Sequence, residues 1–587
     1  MSMNRREFLR LMAIASAAGL PLATTPRSGQ AKIGGELYDF PASGNVSLLH
    51  FTDCHGQLLP VWFREPSINL GIADMYGDAP HIVGNNLLKH FGVEAHTPWA
   101  HAYTHLDFVE AARKYGKVGG FSHLATLVKQ MREQRPGSLL LDGGDTWGGG
   151  GPTALWTNAQ DMVDACLLLG VDVMTGHWEF MFGHERVREI VEKDFAGKNR
   201  WQQKIDFVAQ NVIDTEWGEK VFKPYVIREI NKVPVAIIGQ AFPYTPIANP
   251  RYLIPTWSFG IRDESMQETV DAARDDGAQV VVVLSHNGMD VDLKMASRVT
   301  GIDAILGGHT HDGVPAPVPV KNAGGQTLVI NSGSHGKFLS VLDFDVKQGK
   351  VKDFRYRLLP VFANNIKADP AMEKLIKEIR APYKEKLEEK LALSEALLYR
   401  RGNFNGTFDQ VILDALIEVQ GADISLSPGV RWGTSVMPGE YVTFERVMSM
   451  TALTYPTVTL RNVSGAQIKT ILEDVADNIF NPDPYYQQGG DMVRVGGLKF
   501  SIDPKASVGK RISDMELKGK PLNANKQYRL AGWASVAEPL EGTPIWDVVA
   551  EYLRDIKTVK AKTPNVPKIK NVADSNPGLA KVQRTPA

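Results

Sequence analysis

The sequence predicts an α/β protein built from two domains. Strand-like apolar runs alternate with helical stretches over residues 45–360, a Lys- and Glu-rich segment follows at 365–395, and a second mixed segment covers 396–575. The length of 587 residues also exceeds what one hydrophobic core usually supports. We therefore expect a larger first domain, a connecting helix and a smaller second domain.

Five short apolar runs define the first domain. Rich in Val, Ile and Leu and bounded by Gly, they predict buried strands of a sheet that is covered on both faces. The runs are Leu48–Phe51, Leu139–Leu141, Val171–Met174, Val280–Leu284 and Ile302–Leu306. Between them, Phe121–Arg135 and Asn158–Leu169 have the composition of helices, and the second ends at Gly170.

Residues 58–116 interrupt this alternation with a long insertion of weak periodicity, which is often a functional loop or lid. Its histidines follow no predicted strand, so we expect surface or packing roles for them. They are His81, His90, His96, His101 and His105.

The connection and the second domain carry weaker signals. Lys and Glu dominate 365–395, which predicts an exposed helix with ion pairs between neighbouring turns. Within 396–575, Asp409–Val419 resembles a helix, and the Lys-, Pro- and Asn-rich tail from Lys557 is expected to be a loose end.

Composition narrows the range of partners. Hydrophobic residues make up 43% and charged residues 22%, as in ordinary globular proteins, and the formal net charge is −1. Such a balance offers no electrostatic basis for binding nucleic acid or an anionic membrane surface, so neither is expected as a partner.

The first 31 residues are expected to form an export signal. Arg5-Arg6 precedes the moderately apolar stretch Leu11–Ala23, which is too short for a transmembrane helix. Twin arginines indicate the Tat route to the periplasm, with cleavage after Ala23 or after Ala31. With only two cysteines, no disulfide framework is expected, and strand alternation turns Cys54 away from its neighbours into the core.

Each of the five apolar runs ends on side chains that bind metals. Strand alternation places both members of the D-x-H pair at 53–55 and of the H-x-H pair at 309–311 on one side. Any single histidine here is more often a core residue, but their conjunction at strand ends, where α/β proteins form sites, predicts a metal centre. The predicted ligands are Asp53, His55, Asp145, His177, His286, His309 and His311.

Seven ligands suggest two ions. Asp145, in a Gly-flanked turn, is the best candidate to bridge them, with Asp53, His55 and His311 on one ion and His177, His286 and His309 on the other. Ions bridged in this way lie about 3.5–4 Å apart and act on both oxygens of a displacement. This implies hydrolysis of an oxyanion ester at phosphorus or sulfur, and mixed N/O ligation fits Mn, Zn, Fe or Co.

Four motifs resemble the two-domain 5′-nucleotidase family of metallophosphoesterases. They are FTDCHGQL at 51–58, GHTH at 308–311, NGTFD at 405–409 and VGGLKF at 495–500. The resemblance implies an N-terminal four-layer α/β/β/α sandwich that holds the metals. It also implies a C-terminal α/β substrate domain that closes over them.

The chain departs from that family at a catalytic motif. Nucleotidases carry G-N-H-E-F-D, whereas residues 176–181 are GHWEFM, so His177 replaces the metal-binding Asn and Trp178 replaces the catalytic His. Met181 replaces the Asp that supports this His. A neutral indole cannot protonate a leaving alkoxide, which favours a leaving group such as a sulfur anion.

With these changes, the chain is similar to the SoxB thiosulfohydrolases of bacterial sulfur oxidation, which are S-sulfosulfanyl-cysteine sulfohydrolases. The resemblance implies two Mn²⁺ ions and, as partner, the SoxYZ carrier, whose C-terminal SoxY cysteine arm bears a thiosulfonate. It implies attack of a metal-bridging hydroxide on the terminal sulfur, which releases sulfate. A monomer is expected. The alternative is a periplasmic 5′-nucleotidase or cyclic-nucleotide phosphodiesterase.

Further residues are expected on the substrate side. Arg431 occupies a loop where nucleotidases contact substrate, and its guanidinium suits a sulfonate or phosphate, although a surface salt bridge is an equal alternative. Asn287 is a candidate oxyanion donor, and Trp178 and Trp147 are candidate walls of a narrow mouth, with core packing as the alternative. Tyr485 and Tyr486 either line a channel or pack.

Overall fold

The computed structural model describes residues 37–537 and 539–580. The predicted Tat signal at 1–31 lies outside the described residues. Within the described part of the chain, a search for helices long and apolar enough to cross a membrane finds none.

Two six-stranded sheets form the first domain. The first sheet has the strand order Lys350–Pro360, Phe338–Lys347, Val46–Phe51, Leu139–Asp142, Val173–Met174 and Asp206–Phe207. The second sheet has the order Val318–Asn322, Gly325–Asn331, Ala304–Gly307, Val280–Ser285, Val233–Gln240 and Tyr225–Ile230.

The central strands run parallel in both sheets. Leu48 is in register with Leu139, and Ala304 with Val282, so the carboxyl ends of these strands reach a common edge in each sheet. All five predicted apolar runs lie on these strands or overlap them, and their aliphatic residues are buried. This geometry brings the residues that follow the strands into one region.

Helices cover the outer faces of both sheets, and the result is the predicted four-layer α/β/β/α sandwich. Phe121–Glu133 packs on the first sheet, with Gln160–Leu169 and Pro370–Arg380 packed against it and against each other, and Asp263–Asp275 and Met289–Arg298 pack on the second. Shorter helices and turns of the domain are Pro152–Trp156, Trp178–Phe182, His184–Glu189, Ile190–Asp194, Thr245–Ala248 and Arg251–Leu253. A two-stranded sheet pairs Ile213–Asp214 with Trp257–Ser258.

Two helix ends differ from the sequence prediction for physical reasons. The helix predicted from residue 158 begins at Gln160, because Asn158 and Ala159 have left-handed backbone angles of φ 51° and 68°. The helix predicted to reach residue 135 ends at Glu133, since Arg135 precedes Pro136 and a proline disfavours a helical conformation of the residue before it.

The insertion at 58–116 is a folded segment that contacts both domains. It contains helices Gly84–Phe91, Pro98–Tyr103 and Phe108–Tyr115, and a 3-10 turn at Ala73–Met75. Trp62 pairs with Ser435 and Ile68 with Leu579, while Val61 pairs with Val118. The insertion therefore ties the second domain to the first.

The connection at 365–395 is not the single helix that the sequence predicted. Asp369 caps the helix Pro370–Arg380, a 3-10 turn follows at Ala381–Tyr383, and a short helix at Lys384–Glu388 leads into the strand Lys390–Ser394. Pro382 lies in the turn, where it removes a backbone donor that a continuous helix needs.

The second domain combines three small sheets with four main helices. The sheets are Tyr441–Thr443, Lys390–Ser394 and Thr558–Val559; then Val458–Ser464, Gln527–Trp533, Ile424–Ser427 and Arg494–Gly496; then Lys520–Pro521, Ile512–Leu517, Leu498–Ile502 and Lys568–Ile569. The helices are Thr407–Gln420, Phe444–Thr451, Gly465–Phe480 and Ile545–Ile556, with a 3-10 turn at Pro484–Tyr486. The tail after residue 557 is thus not loose throughout, because two of its segments complete sheets.

Both cysteines are buried, unpaired thiols. Burial raises the pKa of each thiol well above its ordinary value, and the carboxyl of Asp142 raises it further. Cys54 and Cys166 therefore behave as small core residues.

Candidate metal centre

Seven ligand-type side chains follow the carboxyl ends of the strands and meet in one buried cluster. Each is at most 7% exposed. The first sheet supplies Asp53 and His55 after Val46–Phe51, Asp145 after Leu139–Asp142, and His177 after Val173–Met174. The second sheet supplies His286 after Val280–Ser285, and His309 and His311 after Ala304–Gly307.

The cluster divides into two groups that share Asp145. In each group one nitrogen or oxygen per residue lies within 4.8 Å of the others. We call Asp53, His55, His311 and Asp145 the first ion position, and His177, His286, His309 and Asp145 the second ion position. This grouping coincides with the allocation that the sequence predicted.

Ligand atoms of the first ion position converge on one point. The Nε2 atoms of His55 and His311 are 2.9 Å apart, and His311 Nε2 is 3.1 Å from Asp53 Oδ1. Asp145 Oδ2 lies 3.8 Å from His55 Nε2. Two imidazole nitrogens that face each other at this distance are suited to a shared cation.

The second ion position is arranged around the other side of the same carboxylate oxygen. Asp145 Oδ2 is 2.9 Å from His286 Nε2 and 3.2 Å from His177 Nδ1. Its Oδ1 accepts a hydrogen bond of 2.7 Å from the backbone N–H of Trp178. Asp145 thus presents one oxygen to both positions, as a bridging ligand does.

Five of the ligands have backbone angles that side-chain-bearing residues rarely adopt. Their φ values are between 53° and 73°, in the left-handed region: Asp53, His55, Asp145, His309 and His311. Such conformations cost about 1–3 kcal/mol each and persist where the surroundings enforce them, typically at functional sites. Here interlocking backbone hydrogen bonds enforce them, for example from His55 N–H to the Asp145 carbonyl at 2.8 Å.

The hydrogen bonds around the rings prepare nitrogen lone pairs for a cation. His55 Nδ1 is 2.9 Å from the Gly148 carbonyl, and His286 Nδ1 is 2.6 Å from the Gly143 carbonyl. A carbonyl only accepts, so each Nδ1 carries a proton and each Nε2 is the nitrogen that can bind a cation. His177 Nε2 and both ring nitrogens of His309 are buried without a hydrogen-bond partner among the described residues.

The pKa shifts of these side chains also bear on cation binding. Burial lowers the pKa of His309 and of His311 well below the ordinary value, so both rings are neutral ligands. Burial raises the pKa of Asp53 to about 6. Burial also acts to raise the pKa of Asp145, but two imidazoles of the second ion position outweigh it and lower this pKa well below its usual range. Burial acts to lower the pKa of His286, but the carboxylates of Asp145 and Asp53 outweigh it and raise this pKa to about 10, so a divalent cation would displace a proton from this ring. Buried carboxylates among imidazoles fit divalent cations with mixed N/O ligation.

Glu179 is also part of the site, although no local sequence pattern predicts it. Its buried carboxylate accepts backbone hydrogen bonds of 2.8–3.1 Å from the N–H groups of Asp145, Thr146, Trp147 and His177. It thereby holds the turn that carries Asp145 against the loop that carries His177. Glu179 stands in the GHWEF motif at 176–180, but its role depends on hydrogen bonds to backbone groups that only the fold brings together.

Three aromatic residues around the ligands were also missed. Phe242 lies against the rings of His177 and His309, and Trp432 lies 5.4 Å from the His55 ring, between centroids. His335 accepts a hydrogen bond of 3.1 Å at Nε2 from the Gly433 N–H, which links the two domains. His335 follows the apolar end of a strand, so the same strand-end rule would have flagged it.

A cleft between the domains leads to the ligands. It encloses about 230 Å³, and its inner walls include Trp178 and Trp432, whose rings meet edge to face at 5.0 Å between centroids. Ile247 and Val536 line its outer part and are 48% and 44% exposed. The cleft is therefore narrow and aromatic near the ligands and apolar at the mouth.

Of the other residues predicted on the substrate side, Arg431 is part of the cleft lining and Asn287 is not. Arg431 lines the cleft, and its guanidinium is held by Asp491 at 3.3 Å and by the Gly490 carbonyl at 2.7 Å. Asn287 is buried, and its amide nitrogen donates to Asp292 at 3.1 Å while its oxygen accepts from Gln240 at 3.0 Å. Its role as an oxyanion donor stays a prediction.

Trp147 and the tyrosine pair do not line the cleft. Trp147 is fully buried against Phe195 and Phe207, so core packing accounts for it. The hydroxyl of Tyr485 donates to Asp263 in the first domain, while Tyr486 is 62% exposed. Tyr485 therefore packs between domains.

Comparisons with known proteins support a common family. The model of the 5′-nucleotidase C-terminal domain matches residues 394–548. The protein UshA of Yersinia enterocolitica is 23% identical over 488 residues, which are 74% of this chain and 84% of the relative. The 5′-nucleotidase of Bos taurus is 24% identical over 464 residues, 70% of this chain and 76% of the relative.

Solved structures extend the likeness to both domains. A 5′-nucleotidase precursor of Thermus thermophilus has a TM-score of 0.69 at 20% identity, covering 90% of this chain and all of that one, and thus shares the fold. The sulfate thiohydrolase SoxB of the same organism, solved with glycerol, has a TM-score of 0.85 at 36% identity. The match covers 91% of this chain and 98% of that chain. The chain therefore belongs to the SoxB-like family of the 5′-nucleotidase and metallophosphoesterase superfamily.

Proposed function

We propose that this hydrolase releases sulfate from a thiosulfonate borne on the cysteine of a SoxYZ-type carrier protein. The proposal includes two Mn²⁺ ions at the two ion positions, and a monomeric enzyme in the periplasm. The observation that carries it is the residue at position 178, where the related nucleotidases hold a proton donor and this chain holds a buried tryptophan.

The described cleft supplies no free acid for a poor leaving group. Its ionisable side chains other than the ligand set are Arg431, Asp491 and Tyr455. Asp491 is paired with Arg494 at 2.9 Å, and the Tyr455 hydroxyl donates to the Ala248 carbonyl at 2.5 Å. A persulfide leaves without protonation, whereas a nucleoside alkoxide does not leave readily.

The charge of the ions and of Arg431, and the shape of the cleft at its two tryptophans, indicate their roles in the proposed reaction. Two divalent ions, when bound, would stabilise negative charge on the oxyanion and lower the pKa of a water molecule toward about 7. Arg431 would bind a sulfonate oxygen with the N–H donors that Asp491 and the backbone carbonyls of Gly490 and His309 leave free. Trp178 and Trp432 would exclude bulk water and thereby strengthen these interactions.

The mouth of the cleft supports a slender substrate. Ile247 and Val536 offer apolar contact to a peptide arm, and the cleft narrows between the two tryptophans. In nucleotidases a late aromatic segment stacks on the base, but here Tyr485 and Tyr486 lie outside the cleft lining. The name of the Bos taurus relative and the match to the 5′-nucleotidase C-terminal domain keep 5′-nucleotidase as the second candidate.

One assay separates the two candidates. Purified mature protein is loaded with Mn²⁺ and offered a carrier whose cysteine bears a thiosulfonate, with AMP in a parallel reaction. We expect sulfate release at a rate that exceeds phosphate release from AMP, and loss of this activity in Asp145→Asn. Asp483→Asn, which changes a surface pair with Lys294, serves as the matched control and should retain activity. Phosphate release without sulfate release would reject the proposal in favour of the nucleotidase.

Export is a separate part of the proposal and has its own test. The twin arginines Arg5-Arg6 support Tat transport. We expect the full-length chain to reach the periplasm in a Tat-competent host and to stay in the cytoplasm when both arginines are replaced by lysine. Equal export of both forms would contradict this route.

A further inference from the structure

Phe242 lies between the loops that carry two ligands of the second ion position. It follows the strand Val233–Gln240, is buried, and donates its backbone N–H to the carbonyl of Gly176 at 3.2 Å. Its ring centroid is 4.0 Å from that of His177 and 4.2 Å from that of His309, and the His309 pair is stacked at 26°. The phenyl ring thus touches both imidazoles.

The same two histidines lack the hydrogen bonds that usually orient a metal-binding ring. His55 and His286 have a carbonyl partner for the nitrogen remote from the ions. Neither His177 Nε2 nor either ring nitrogen of His309 has such a partner among the residues described. His311 Nδ1 also has none, but its ring packs on His55 at 4.8 Å rather than on Phe242.

We infer that Phe242 is a positioning residue that orients His177 and His309 for the second ion position by ring packing. Partners behind a ligand fix the ring orientation, and their loss typically weakens metal affinity about 10- to 100-fold. Where a hydrogen bond is missing, a flat apolar ring that contacts both imidazoles restricts their rotation. This inference goes beyond the proposed function, because it does not depend on which ester the site cleaves.

The contacts predict an effect on one ion rather than on both. The ring contacts of Phe242 are with His177, His309 and Tyr244, and none is with His55 or His311. Substitution of Phe242 by an aliphatic residue should therefore spare the first ion position. A general loss of folding would affect both positions together.

The test is a titration of the metal-free mature protein, which contains both domains, with Mn²⁺ alone. Calorimetry gives the two affinities, and electron paramagnetic resonance distinguishes a single Mn²⁺ from a coupled pair. In Phe242→Leu we expect one ion to bind as in wild type and the other about 10- to 100-fold more weakly. The coupled-pair signal should then appear only at higher Mn²⁺ concentrations.

Phe362→Leu is the matched control, because Phe362 is also buried and stacks on a histidine, His101, that is no ligand. It should leave both affinities unchanged. Equal affinities in Phe242→Leu and wild type, or an equal weakening of both ions, would overturn the inference. If near-ultraviolet circular dichroism shows that Phe242→Leu does not fold, Phe242→Met takes its place. The expected result and the results that would overturn the inference are the same for this variant. Because no substrate is used, failure of the proposed reaction would not affect the result.

Discussion

At the residue scale, the ligand set depends on a few buried side chains that touch no ion position themselves. Glu179 is the clearest, since one carboxylate holds four backbone N–H groups around Asp145 and His177. Hydrogen bonds to a charged acceptor are worth about 1.5–3 kcal/mol each, and unmet buried donors are costly. The geometry of the bridging carboxylate therefore depends on the charge of Glu179.

Glu179→Gln tests this dependence. The glutamine amide would turn an N–H group toward backbone donors, so we expect a loss of about 2–4 kcal/mol in the free energy of unfolding and a lower metal content. Urea unfolding and metal analysis measure both. Glu189→Gln, which alters an exposed pair with Arg186, should change neither. Retention of full metal content in Glu179→Gln would contradict the positioning role.

The residues that replace the nucleotidase dyad give a second prediction at this scale. Trp178 and Met181 are both buried, and Met181 lies beside Gly148, whose carbonyl orients His55. Trp178→His with Met181→Asp should raise phosphate release from AMP, because it restores a proton donor beside the ligands. Trp178→Phe offers no donor and should give no gain. No gain in the double variant would mean that the second domain sets the choice of leaving group.

At the element scale, the insertion at 58–116 acts as a tie between domains. Leu70 donates its N–H to Asn403 at 2.5 Å, and Trp62 donates its indole N–H to Glu440 at 2.9 Å. His81 pairs with Asp290 at 2.8 Å, beside the loop that carries His286. The predicted histidine roles in packing agree with these positions for His81 and for the buried His101.

The His81–Asp290 pair predicts a pH-dependent contribution to stability. Burial would lower the pKa of His81, but the charge and hydrogen bond of Asp290 outweigh it and raise this pKa above 6.5. The contribution is therefore complete below about pH 6.5 and is lost as the pH rises through the raised pKa. Wild type should exceed His81→Gln in melting temperature near pH 6 and by less near pH 9. A difference that grows with pH would reject this assignment.

At the scale of the whole molecule, the metal centre is enclosed by the second domain. A Cβ atom at Gly489 would lie 2.3 Å from His309 Nε2, so this glycine allows the second domain to approach the ligands. The neighbouring Gly490 has almost the same backbone, with φ 77° against 79°, but its nearest contact would be at 3.5 Å. Substitutions at these two glycines therefore distinguish the effect of a close contact with His309 from the effect of backbone strain.

Gly489→Ala should therefore impair catalysis more than Gly490→Ala. Both carry the same cost of a left-handed alanine, about 1 kcal/mol, but only the first pushes the domains apart. Displacement by about 1 Å can lower activity about 100-fold. Sulfate-release kinetics and melting temperatures of both variants measure this difference. Equal activities would show that domain closure at this point is not required.

The sequence predicted which side chains cluster at the strand ends because their signal is local. Asp53, His55 and His309 each follow an apolar run, which is enough to place them at the carboxyl edge of a sheet. The directions of their side chains depend on left-handed backbone angles rather than on strand alternation. Glu179 and Phe242 could not be assigned, since their roles arise from contacts between segments distant in sequence. Phe242 in particular looks like any core aromatic until the loops are assembled.

The fold likewise has features that local sequence patterns predict and features that depend on contacts between distant segments. Short, continuous apolar runs predicted the central strands, and the resemblance supplied the layers, but the sheet order and the edge strands depend on long-range pairing. The density of Lys and Glu in 365–395 predicts one helix, but Pro382 interrupts it. In the second domain, strands of two to seven residues with mixed polarity leave little periodicity to detect.

The burial of both cysteines has a consequence for sulfur chemistry. Thiolates exchange readily with persulfides and disulfides, and a thiol exposed near the cleft would compete with the carrier for the sulfur that remains after sulfate departs. Cys54 and Cys166 are fully buried, and their raised pKa keeps them as thiols. The enzyme thus presents no nucleophilic sulfur from its described residues. The sulfane sulfur of the proposed product would stay on the carrier.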